Sequence, residues 1–212
     1  MLETLIKLDY QLEYKKQLKK NISLVRKEIN KEDFILKIQN HAIKFERSFE
    51  EIKEKIMIDD MYAEIFAKDP AKQNIYEKTA AKYLSSVDYI ENFENLPNNA
   101  KVFVYNGKIV SRSYNNMKSI DFIFNVGKYN FYAQHKYIKA LYGGAQDNQY
   151  TDVRIFLNNC NRINEGDNYF IAICDGPYFR DKISSLNLEF GSSRVIAMTI
   201  DDVIPFINAI VE

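Results

Sequence analysis

The chain has no tryptophan and, in 212 residues, only two cysteines, four prolines and seven glycines. So few prolines and glycines exclude a linker-rich or disordered chain. Cys160 and Cys174 cannot make the disulfide framework of a small secreted domain, so a reducing, cytoplasmic setting is expected. A charge excess is also lacking: 29 Lys and Arg balance 29 Asp and Glu. That excludes a globally basic, histone-like binder but not a local positive groove. No segment approaches the roughly 18 uninterrupted apolar residues of a membrane span. The N-terminal MLETLIKLDYQLEYKK lacks the basic-then-apolar order of a signal peptide. His41 and His135 are far apart and come with only two cysteines, so no zinc spacing exists. Gly143-Gly144 is not followed by Lys-Ser/Thr, which rules out a P-loop. What is present is ordinary globular material: 46% hydrophobic residues, with fifteen Tyr and fourteen Phe to fill a core.

Period and punctuation divide the chain. Residues 1 to about 67 carry apolar residues at helical spacing, among them Leu5, Leu8, Leu12, Ile22, Val25 and Ile29, then Phe34, Ile38, Ile52 and Ile56. Asp69-Pro70 breaks the pattern. We therefore expect an N-terminal helical region over 1–70 and a second domain over 71–212. A helix is expected over about 73–86, with Ile75, Ala80, Tyr83 and Leu84 facing inward, and Pro97-Asn98-Asn99 forms a boundary. Beyond it the period becomes two. Asn106-Gly107 between Val102–Tyr105 and Lys108–Val110 signals a tight hairpin. Strands are expected at 119–125, 129–137, 168–174 and 194–199, with helices at about 147–160 and from Asp201 onward. This order predicts an α/β fold with a mixed β-sheet flanked by helices.

The chemistry concentrates in SIDFIFNVGKYNFYAQHKYIK. Side chains at i and i+2 of a strand share a face, so Gln134 and Lys136 point one way and His135 the other. If the two strands pair as a hairpin, Asp121 joins Gln134 and Lys136. A carboxylate, a second oxygen ligand and an ammonium group then converge, which is what Mg²⁺-dependent phosphodiester cleavage requires. His135 is expected to serve structurally, with only its backbone carbonyl available to the metal.

These residues resemble the PD-(D/E)xK nuclease superfamily and, within it, the type II restriction endonucleases. The matching pieces are Asp121 in an apolar strand, Gln134-His135-Lys136 ending the next, the following GGAQDNQYTDV, and the strand FIAICDG. The resemblance covers roughly residues 73–210. It implies a restriction-endonuclease-like core, a Mg²⁺ cofactor, double-stranded DNA as substrate, and a homodimer acting on a palindromic site. The helix IYEKTAAKYL resembles the first core helix of that family, which would make Glu77 a further acid near the metal. Two positions depart from the pattern: Ile120 stands where a proline is expected, and Gln134 where an acid is expected. Gln134 is then either a native variant ligand or a substituted acid. Related readings are a repair or junction-resolving nuclease and a catalytically inactive DNA-binding relative.

The polar run Gln146, Asp147, Asn148, Gln149 on a loop hinged at Gly143 and Gly144 suits base readout, because amides pair with adenine edges and Asp accepts from cytosine. Asp147 could equally cap the following helix. Lys139, Arg112 and Arg154 are candidates for phosphate contact, and Lys15-Lys16 and Lys19-Lys20 for a DNA clamp. For each of these charges a solvated surface role is the plain alternative.

Overall fold

The computed structural model describes residues 8–97, 99–111, 117–139 and 144–211. It divides into two compact units, Lys7–Thr79 and one holding Ala80–Glu212. The division therefore falls past the expected boundary at residue 70, inside a helix that spans Ile75–Leu84. The reason lies in how the Asp69-Pro70 break is used. Pro70–Gln73 forms a single 3₁₀ turn, and its neighbours stay with the N-terminal helices. Asn21 donates to the Lys68 carbonyl and to Gln73 Oε1, and Tyr14 donates to Asp69.

The N-terminal unit contains α1 (Tyr10–Glu28), α2 (Glu32–Lys44), α3 (Phe49–Ile58), α4 (Asp60–Phe66) and the first half of α5 (Ile75–Leu84). Asp9, Ser48 and Asp59 cap α1, α3 and α4 by accepting backbone N–H groups. Ile22, Val25, Ile38, Ile52, Ile56 and Ala63 form its core.

The second unit is a mixed α/β structure. Its strands are β1 (Glu91–Asn95), β2 (Phe103–Tyr105), β3 (Lys108–Val110), β4 (Phe122–Val126), β5 (Tyr129–Tyr137), β6 (Asn168–Asp175) and β7 (Val195–Met198). The helices are the end of α5, α6 (Gly144–Asn159), α7 (Ile183–Phe190) and α8 (Ile200–Val211). The main sheet runs β1-β4-β5-β6-β7, antiparallel from β1 to β5 and parallel from β5 to β7. Two successive crossovers, β5-α6-β6 and β6-α7-β7, advance in one direction across the sheet, and crossovers of the same hand place their helices on one face. Accordingly Val153, Phe156 and Leu157 of α6 and Leu186 of α7 share a core cluster with Phe170, Ala172, Val195 and Ala197. The opposite face carries α8, whose Phe206 ring meets Tyr169 at 5.9 Å.

β2 and β3 form a separate two-stranded sheet. Its turn has φ +47° at Asn106 and +70° at Gly107, the primed geometry that the Asn-Gly pair favours. At Gly107 a side chain would overlap Ile163. The cysteines, Cys160 and Cys174, are buried free thiols, and burial pushes both thiols above the ordinary range. Among the described residues, no helix is long and apolar enough to cross a membrane.

Candidate active site

The pairing of β4 with β5 sets Phe122 opposite Ala133, so Asp121, one step further, stands beside Gln134. The Asp121 N–H donates to the Ala133 carbonyl at 2.8 Å, which holds the residue in register although it lies just outside the strand. One of its carboxylate oxygens accepts the His135 N–H, also at 2.8 Å. Burial pushes the Asp121 carboxyl above its ordinary value; the Lys136 ammonium and the His135 N–H oppose that shift. An anion taken from water with one hydrogen bond and one nearby cation is a carboxylate prepared for a further positive charge.

Gln134 is 2% exposed. Its Nε2 reaches the Ser119 carbonyl only at 3.5 Å, and its Oε1 is buried with no hydrogen-bond partner. A buried amide oxygen without a partner forfeits on the order of 1–3 kcal/mol unless something binds there. Gln134 pairs with Ala172 and Lys136 with Cys174 in the β6 register, so both side chains lie on the α6 face. Lys136 Nζ is 3.9 Å from Asp152 of α6, whose other oxygen takes Lys118 at 2.7 Å. Lys136, Asp152 and Lys118 thus make an alternating row of charge leading toward Asp121.

His135 points to the other face. Its Nε2 is 3.2 Å from Asp175, both residues being buried, and the second Asp175 oxygen accepts the N–H of Ile200 at the start of α8. This arrangement ties the ends of β5 and β6 to α8 behind the site.

The other expected residues are scattered. Glu77 stands in the first turn of α5, half-buried and within the N-terminal unit. The polar run is not a loop: α6 starts at Gly144, so Gln146, Asp147, Asn148 and Gln149 occupy its first turns. Asp147 is therefore not the helix cap; it accepts the Tyr178 hydroxyl at 3.1 Å. Asn148 is exposed and Gln149 half-buried. Arg154, further along α6, forms an ion pair with Glu189 of α7. Lys139 is exposed just past β5. Gly143, Arg112 and the side chain of Gln146 lie outside the described residues.

Sequence reasoning missed Asp152, Lys118 and Asp175. Asp152 precedes Val153, the first core residue of α6, so a helix crossing back over β5 had to bring that acid above the sheet. Among the described residues, no cluster of three or more Asp, Glu, His or Cys side chains could hold a metal. Comparison of the chain with protein-family models, curated proteins and solved structures finds no match.

Proposed function

We propose that this chain is a Mg²⁺-dependent, sequence-specific endonuclease of the PD-(D/E)xK kind, a type II restriction endonuclease acting as a homodimer on double-stranded DNA. One observation carries the reading: the buried, unpartnered Gln134 oxygen lies beside the desolvated Asp121 carboxylate, with Lys136 on the same face. That donor set fits Mg²⁺, which binds through one or two carboxylates, with waters and substrate phosphate filling the rest of its shell. It does not suit a metal held wholly by protein acids. Asp121 and Gln134 would be the ligands, joined by the His135 carbonyl. Bound there, the ion would polarise the scissile phosphate and lower the pKa of a water.

The chain's own residues supply the rest. Lys136 has an ammonium group to set against charge developing on the phosphate. Asp152 holds Lys136 and Lys118 in place, and Lys118, about one-third exposed, can contact a neighbouring phosphate. The His135–Asp175 pair fixes the strand end that carries Gln134 and Lys136. The first turns of α6 carry Asn148 and Gln149, whose amides suit base edges.

A second reading, DNA binding without cleavage, is favoured by the neutral Gln134 at an acid position. Plasmid digestion with Mg²⁺ decides between the two. Discrete fragments from the wild type, abolished in Asp121→Ala and reduced by orders of magnitude in Lys136→Ala, are expected. Plasmid left intact by wild-type protein that still binds it would favour the second reading.

A further inference from the structure

The N-terminal unit has a basic groove of its own. A cavity of about 390 Å³ is lined in part by Lys37, Lys68, Lys72, Asn21, Gln73 and Asp69. A second, of about 400 Å³, shares Lys37 and Phe66 with it and adds Lys44 and His41. Lys16, Arg26, Lys31, Arg47 and Lys55 of this unit pair with acids, and none of them lines either cavity. Among the described residues, Lys37, Lys44, Lys68 and Lys72 are in no ion pair. The acid lining the first cavity, Asp69, is already engaged: its Oδ1 accepts the Ala71 N–H at 2.8 Å and the Tyr14 hydroxyl at 3.1 Å.

The groove is also held in shape. Asn21 is 6% exposed and donates at 2.6 Å both to the Lys68 carbonyl and to Gln73, while accepting from Gln17 at 2.9 Å. This buried side chain pins the turn that presents Lys68 and Lys72 against α1. Three lysines beside one carboxylate around the first cavity, with Lys44 at the second, leave a net positive concave surface that favours an anion.

We propose that this groove binds the phosphodiester backbone of duplex DNA independently of sequence, and that it is the DNA clamp of the N-terminal unit in place of Lys15, Lys16, Lys19 and Lys20. The inference rests on the chain being a DNA-acting protein. A backbone is favoured over unstacked bases because the aromatic faces are taken. Lys37 Nζ lies 4.8 Å from the centre of the Phe34 ring, and Phe66 is packed with His41 at 5.1 Å and Tyr62 at 6.3 Å. A single strand needs free rings on which to stack; a duplex needs cations alone.

The test is fluorescence anisotropy of the full chain with a labelled random-sequence duplex, in EDTA to prevent cleavage, over a series of salt concentrations. Lys37→Ala/Lys68→Ala/Lys72→Ala should weaken binding about tenfold or more and make the salt slope shallower by about 2–3, since each phosphate contact contributes about 0.9. The charge-matched Lys15→Ala/Lys16→Ala/Lys20→Ala should change both far less. The lysines are exposed, so both variants should keep the wild-type melting temperature. The proposal is overturned if the groove variant matches the wild type or its charge-matched control, if the wild type binds no duplex, or if it prefers a single strand. A chain that binds through the groove yet leaves plasmid intact with Mg²⁺ would retain the groove and lose the nuclease reading.

Discussion

Asp121 and Gln134 show how a site can be costly to its own fold. Burial raises the Asp121 pKa, so the folded chain binds that proton more tightly than the unfolded one. The sign follows: the ionised carboxylate lowers stability at neutral pH, and the loss is relieved as pH falls through the folded pKa. Asp121→Asn keeps an oxygen for the His135 N–H and removes the charge. In metal-free buffer at pH 7 its melting temperature should exceed that of the wild type. The difference should narrow in acid. Gln134→Glu should act in reverse, placing a second carboxylate beside the first. It should lower the metal-free melting temperature and strengthen Mg²⁺ binding in calorimetry. If Mg²⁺ raises the melting temperature of both proteins equally, Gln134 does not face the ion.

Among the elements, α6 follows β5, the strand that carries Gln134 and Lys136. If its first turns enter the major groove, Gln149→Ala should cost about 1–3 kcal/mol on the cognate site and much less on other sequences. Lys139→Ala should weaken all sequences alike. Both are measured as binding ratios at fixed salt with Ca²⁺. An unchanged cognate-to-noncognate ratio for Gln149→Ala would take that side chain out of readout. These strands and helices were unequally legible. β4 could be read because Phe122, Phe124 and Val126 are buried while Ile123 and Asn125 are only half so, a clean period of two. β6 showed as an unbroken apolar run because a parallel strand is covered on both faces. β1 could not be read: Glu91, Asn92, Glu94 and Asn95 are exposed, and Phe93 alone packs, on Phe122 and Phe124. Its identity depends on a pairing partner about thirty residues away, with a register shift between Glu91 and Glu94. α6 was read three residues short because Gly143-Gly144 looks like a hinge, whereas the helix begins on the second glycine. The shared face of Gln134 and Lys136 followed from strand period, whereas placing Asp121 beside them also required the hairpin pairing of β4 with β5. Asp152 did not, since only the crossover brings α6 over β5.

For the whole molecule, if the chain cuts both strands of a palindrome it needs two copies of the site, and the N-terminal unit carries exposed apolar side chains. Leu36, Ile43, Ile58 and Met61 are 58%, 78%, 77% and 81% exposed. If these side chains meet a second copy, Ile58→Lys/Met61→Lys should run as a monomer in light scattering, keep its helical circular dichroism and nick plasmid rather than linearise it. A variant that stays dimeric would move the interface elsewhere. The cysteines have a consequence of a different kind. Cys160 and Cys174 both lie in the core under α6, and residues 7–79 contain no cysteine at all. Closed, neither thiol meets solvent or ionises readily, so a thiol reagent can modify the protein only during excursions in which the sheet unit opens. The labelling rate is therefore a clock for one half of the molecule. Followed with and without DNA or Mg²⁺, it times how long that half stays shut, without an introduced probe and without any contribution from the N-terminal helices.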